Sequence, residues 1–190
     1  VKSKEKGISS KLPSYESGFS MLEVIIAILT ITAFLTGTLQ LMAVNALYKV
    51  RAERQTKANF WIQEDFENVK ALASSLDVNS SPVNPYITTD VCTNINRGYA
   101  TALRRQLTTT LPPTTIPPQQ LVAIRPIVGK NYSLFRTFNI TNQSANPHRL
   151  RIDYRVEATG QTPKDYPNQE NVIVKSSVEV IPDASFKCPS

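Results

Sequence analysis

The sequence predicts an α+β chain: a long N-terminal α-helix, apolar in its first half and amphipathic in its second, packed on a small antiparallel β-sheet head. Three observations carry this. Val24 to Tyr48 is a run of 25 residues without a charge. Apolar residues then recur at i, i+3, i+4 and i+7 spacing from Ala58 to Leu76, the period of a helix with one covered face. Beyond residue 133 the pattern switches to alternation, the period of a strand with one face covered.

The uncharged run comes first. As a helix it would extend roughly 37 Å, more than the ~30 Å hydrocarbon core of a bilayer. Lys2, Lys4, Lys6 and Lys11 precede it, which places the N-terminus inside by the positive-inside rule. A secretory signal peptide fits poorly, because its apolar core is about 7–15 residues long and an A-x-A-like cut site follows it. Glu23 stands at the head of the run. A charge at the centre of a membrane helix costs about 2.5–3.5 kcal/mol, and less near an end. The carboxylate is therefore tolerable and calls for a partner. Lipid headgroups and the interface serve in a stored subunit. In an assembly, the free α-amine of an adjacent copy serves better, given a cut at Gly18-Phe19 just upstream.

"GFSMLEVIIAIL" (18 to 29), with basic residues ahead of it, resembles the N-terminus of type IV pilins and type II secretion pseudopilins. The resemblance implies a leader (1–18) removed by prepilin peptidase after Gly18, with N-methylation of Phe19. It implies a transmembrane and assembly helix over 19–50. Glu23, fifth in the mature chain, would be the assembly residue pairing with a neighbour's N-terminus. The implied partners are prepilin peptidase, other pilin or pseudopilin subunits and an inner-membrane assembly platform. Many members carry a proline about 22 residues into the mature chain; here that position is Gln40. Gly37, between Thr36 and Thr38, is the nearest helix weakener, and local melting would begin there. Without the proline, the chain is most similar to the PilV-like minor pilins. The implied location is the bacterial inner membrane and then a pilus or pseudopilus, with the head periplasmic.

The amphipathic half follows over 51–77. Ala58, Trp61, Ile62, Phe66, Val69, Leu72, Ala73 and Leu76 make its apolar stripe, with Asp65 alone interrupting. Trp61 is expected in the core beneath a sheet. The head spans 78–190. "NSSPVNP" (79 to 85) ends the helix. "RGYATALRRQL" (97 to 107) fits a short helix with Arg97, Arg104 and Arg105 exposed. "TTTLPPTTIPPQQ" (108 to 120) reads as an extended surface loop, because paired prolines remove donors and fix the backbone. Three strands are expected within about 133–181: "SLFRTFNIT", "RLRIDYRVEA" and "NVIVKSSVEVI". Leu150, Ile152, Tyr154, Val156 and Ala158 share one face of the second, and Val172, Val174, Val178 and Val180 point inward from the third. "TGQTPKDYPNQ" is the long turn between those two strands.

Charge and composition bound the function. Net charge is +6, of which the leader's four lysines and two glutamates supply about +2. The remaining 17 basic and 13 acidic residues leave the rest mildly basic. Cys92 and Cys188 pair if the head is exported and remain thiols if it is cytoplasmic. Catalysis finds little support. His148 is the single histidine and reads as an exposed turn residue, no glycine-rich phosphate loop occurs, and no metal or cofactor is expected. Two other readings stay open. One is a pilus-tip module gripping DNA or glycan through Arg97, Arg104, Arg105, Arg149 and Arg151. The other is a plain signal-anchored periplasmic protein.

Overall fold

The computed structural model describes residues 18, 20–160 and 171–189. The expected leader up to residue 17, Phe19 and most of the 159–169 turn lie outside the described residues. Helix α1 runs Met21–Ser75. The chain divides between Ala46 and Leu47 into two compact units, so α1 contributes to both. Its helical hydrogen bonding continues through Gly37, where the sequence suggested melting; one glycine costs only about 1 kcal/mol against the many bonds around it.

In the second unit, α1 buries Arg54, Ala58, Trp61, Ile62, Asp65, Val69 and Ala73, and Leu76 follows just past its end. Their spacing of three or four residues makes one stripe, as expected. The opposite face is polar and carries the exposed pairs Glu53–Lys57 and Glu67–Lys70. The turn at Asp77 stops the helix, with its carboxylate accepting the Asn79 N–H at 2.9 Å.

Four strands form one antiparallel meander in the order β1-β2-β3-β4: Gln119–Ile127, Lys130–Asn139, Leu150–Ala158 and Val172–Val180. The last three match the alternating stretches. The first was missed, and it begins inside the segment read as a loop to residue 120. Pro126 argues against a central strand, yet β1 is an edge strand with a single neighbour, where proline is admitted. A two-residue turn joins β1 to β2, with positive φ at Val128 (43°) and Gly129 (76°), the signature of a primed hairpin turn. Val128 is β-branched and disfavours that conformation; Arg54 Nη2 donates to its carbonyl at 2.9 Å and anchors the turn to α1.

Leu134↔Val156 and Phe138↔Ile152 stand opposite one another on the covered face, where Tyr132, Leu150 and Tyr154 are also buried. Trp61, Ile62, Val69 and Leu76 of the helical segment complete this core. On β4 only Val180 is fully buried. Val172, Val174 and Val178 are half-buried, because β4 is the other edge of the sheet.

Helix α2 (Tyr99–Thr108) adds Tyr99, Leu103 and Leu107 to the core and stops at Thr109, φ 52°. Its start packs tightly on the loop before β3. The Ala100 N–H donates to the Pro147 carbonyl at 3.0 Å, and a Cβ at Gly98 would sit 2.2 Å from that oxygen. Cys92 and Cys188 are bonded, Cα–Cα 5.3 Å, tying the chain ahead of α2 to the tail just beyond a short 3-10 helix (Asp183–Lys187).

The one interruption of the α1 stripe is also its strongest polar contact. Asp65 meets Arg136 of β2 through two parallel bonds, Nε to Oδ2 at 2.7 Å and Nη2 to Oδ1 at 2.5 Å. Both side chains are almost wholly buried. Arg136 Nη1 also donates to Gln120 Oε1 of β1 at 3.2 Å, and Gln120 Nε2 donates to the Leu107 carbonyl of α2 at 2.8 Å. Burial, then the Asp65 charge, pushes the Tyr154 phenol well above its ordinary range.

Two predictions follow from this packing. Gly98→Ala has to displace the Pro147 backbone, and overpacking of that kind costs about 1–3 kcal/mol. A fall of several degrees in melting temperature is expected, read by far-UV circular dichroism of the full chain in detergent micelles; an unchanged melt contradicts the close approach. Asp65→Ala strands a buried guanidinium and should cost about 3–5 kcal/mol, whereas Asp65→Leu with Arg136→Met should recover most of it. Denaturant titration followed by the single tryptophan, Trp61, distinguishes the two; equal losses would show that the pair is not the cause.

Candidate functional site

The site the sequence singles out lies at the start of α1. Ser20 begins the helix: its carbonyl accepts the N–H groups of Glu23 (3.0 Å) and Val24 (3.3 Å), and its hydroxyl lies 3.3 Å from the Glu23 nitrogen. Ser20 and Glu23 thus occupy the spacing of an N-terminal capping box, with the forward arm formed. A carboxylate in the first turn also sits favourably against the positive end of the helix dipole. Glu23 is exposed and makes no ion pair among the described residues. Gly18 is exposed as well, with open space where a Cβ would be. Phe19, the expected new N-terminus, lies outside the described residues.

Everything after Glu23 in this unit is built for an apolar medium. An 18-residue window of α1 has mean hydropathy 2.1 and none of it is buried. Met21, Phe34, Leu39 and Met42 are each about two-thirds exposed or more. The helix is long and apolar enough to cross a membrane. Its hydroxyls turn inward: Thr30, Thr32, Thr36 and Thr38 donate to carbonyls three or four residues back, at 2.6–3.0 Å. Back-bonding of this kind hides the donor that would otherwise meet lipid or a neighbouring helix. The threonine spacing was visible in the sequence, but its role was not read from it.

The basic residues proposed as polyanion contacts are not brought together as a free patch. Arg97 pairs with Asp90 at 3.3 Å, Arg149 with Glu179 at 3.4 Å, Arg151 with Asp153 at 3.3 Å, and Arg155 with Glu157 at 3.2 Å. The alternating face of β3 is therefore charge-balanced. Arg105 is half-buried, donating to the carbonyls of Thr110 (3.4 Å) and Thr114 (3.0 Å). Arg104, expected on the surface of α2, is buried at 7% exposure. Its place was missed because it stacks over Phe138, centroid distance 5.5 Å, far away in sequence. Trp61 is core, as expected, and its ring lies 5.1 Å from the guanidinium of Arg125, which grips Glu64 by two bonds of 2.7 and 3.0 Å.

His148 is not the exposed turn residue the sequence suggested. It is half-buried, with its ring 5.7 Å from Tyr99 and its Nδ1 accepting the Tyr99 N–H at 3.3 Å. This contact uses the imidazole as a structural acceptor at the start of α2. Burial holds its pKa below the ordinary value. Among the described residues, no three His, Cys, Asp or Glu side chains stand together as metal ligands do. Comparison of the chain with protein-family models, curated proteins and solved structures gives no match.

A depressed histidine pKa contributes stability that is present above the unfolded value, near 6.5, and lost as pH falls through the folded value. Lowering the pH from 7.5 to 5 should therefore lower the melting temperature of the wild type. His148→Asn, which keeps a neutral acceptor, should flatten that slope. Parallel slopes in the two proteins would refute the assignment.

Proposed function

We propose that this chain is a minor type IV pilin or pseudopilin, a structural subunit stored in the bacterial inner membrane and assembled into a fibre after its leader is removed. One observation carries the reading: a single exposed carboxylate, Glu23, in the first turn of an otherwise uncharged apolar helix, five residues past Gly18. Prepilin peptidase cuts between Gly18 and Phe19 on the cytoplasmic side, and Phe19 becomes an N-methylated α-amine. In the membrane, Glu23 stays near the interface. In the fibre, residues 19–50 exchange lipid for neighbouring helices, and Glu23 meets the N-terminus of an adjacent subunit. An opposite charge at close range keeps a carboxylate ionised in an apolar bundle, and its absence leaves a buried charge uncompensated. The pairing therefore favours one register over its neighbours. The head, on its amphipathic helical segment, projects on the far side of the membrane, where an oxidising compartment suits the Cys92–Cys188 bond.

The reading is tested by mass spectrometry of the N-terminus of protein recovered from cells with and without prepilin peptidase. A chain starting at N-methyl-Phe19 only when the peptidase is present is expected. An intact leader in both strains would leave a simple signal anchor. Glu23→Ala is expected to leave membrane levels unchanged and to lower incorporation into sheared fibres at least tenfold; incorporation at the wild-type level would remove the proposed role of the carboxylate.

A further inference from the structure

The head has two nearly buried arginines whose guanidinium surroundings differ in kind. Arg136 has Asp65. Arg104, equally buried, has no carboxylate partner among the described residues. Its Nη1 donates to Gln143 Oε1 at 3.1 Å, while its Nε is buried without an acceptor. Gln143 is in turn held by its own amide, which donates to Thr101 Oγ1 at 2.5 Å. A buried cation with an unmet donor is costly, several kcal/mol in effective desolvation, unless something supplies negative charge. Burial, and then the neighbouring Arg105, depress its pKa.

Arg104 and Arg105 both line a cleft of about 470 Å³ between α2, the proline-rich segment before β1 and the loop after β2. No acidic side chain lines it. Its other polar groups are neutral, among them Asn96, Thr115 and Ser144, and its apolar walls are aliphatic, chiefly Ile116 and Ile140. A cleft of this volume takes one small ligand, held by a few placed polar groups against apolar walls. Nucleic acid would need aromatic faces for its bases and a track of free cations for its backbone. The cleft offers no aromatic lining, and the nearby Arg97 is already paired with Asp90.

We infer that this cleft binds an acidic sugar unit, its carboxylate completing the hydrogen bonding of Arg104 and its hydroxyls meeting the amide and hydroxyl side chains around the rim. A carboxylate accepts charge-assisted bonds from a guanidinium, the partner Arg104 lacks. The site belongs to the head alone and is independent of how the chain is anchored.

The test is thermal melting of the full chain in detergent micelles, read by Trp61 fluorescence, against D-glucuronate, D-glucose and inorganic phosphate at matched ionic strength. A ligand bound only to the folded state raises the melting temperature saturably. Glucuronate is expected to do so at a half-saturating concentration at least tenfold below that of either control, and Arg104→Gln to abolish the shift. Ser144→Asp, a change at an exposed rim position, places a carboxylate beside the arginines. It should weaken glucuronate at least tenfold, and it serves alone if Arg104→Gln does not fold. An equal response to glucose or phosphate, no saturable response, or an unchanged half-saturation in Ser144→Asp would each overturn the assignment.

Discussion

The head is organised around one buried ion pair, Asp65–Arg136. It is the point at which α1, β1, β2 and α2 share a single chain of hydrogen bonds: carboxylate to guanidinium, guanidinium to the Gln120 amide, amide to the Leu107 carbonyl. Tyr154 of β3 is packed against it. A buried pair of this kind adds little net stability over an apolar replacement, because desolvation of both charges offsets their attraction. Its effect is positional. Apolar side chains slide past one another at small cost, whereas two parallel bonds between a fork and a carboxylate tolerate neither a turn of the helix nor a slip of the strand. One residue earlier, Glu64 makes the same kind of contact with Arg125 at the surface. Consecutive acidic residues thus grip adjacent strands, and Trp61 fills the space beside them.

The same helix answers to two solvents. Between Leu47 and Ser75 its stripe is buried and its outer face bears paired charges, which is the arrangement for water. From Met21 to Ala46 its large apolar side chains are exposed and its threonines bond back to their own carbonyls. Leaving that surface in water costs roughly 25 cal/mol per Å², so lipid or other helices must cover it. Glu23 is the single charge on this stretch, and it stands where the first turn of the helix already favours a negative group.

Legibility in the sequence followed periodicity. The two halves of α1 and strands β2, β3 and β4 could be read because one face of each is covered and the other is not. Strand β1 could not, because Pro126 and the preceding proline pairs argue against a strand and only its edge position admits them. Arg151–Asp153 and Arg155–Glu157 join alternate residues of one strand face, so the neutralisation of the β3 arginines was half visible; Arg149–Glu179 needed the register of β4. Arg104 and His148 were misplaced for a common reason. Both are polar residues in stretches with no strong periodicity, and what buries them comes from distant sequence: Phe138 and Gln143 for the arginine, Tyr99 for the histidine. The start of α1 was the converse case, where a few residues carried the reading and the structure added the Ser20 cap.

Within the second unit, α1 is secured at three places along its length. Near the start, Arg54 holds the Val128 carbonyl at the β1–β2 turn. In the middle, Asp65 holds Arg136. At the end, Lys187 reaches Asp77 at 3.1 Å, and the Cys92–Cys188 bond follows one residue later in the tail. The last is the only covalent tie, and by loop entropy a bridge over such a separation contributes about 2–4 kcal/mol in practice. In the fibre we propose, load enters the head along α1. It would meet the Arg54 bond first and the Asp65 clamp next, with the covalent tie guarding the tail. The exposed Lys187–Asp77 pair is worth little by itself. The buried pair at Asp65 is therefore the contact on which helix and sheet stay in register, and the bridge keeps the tail from peeling away if that contact loosens.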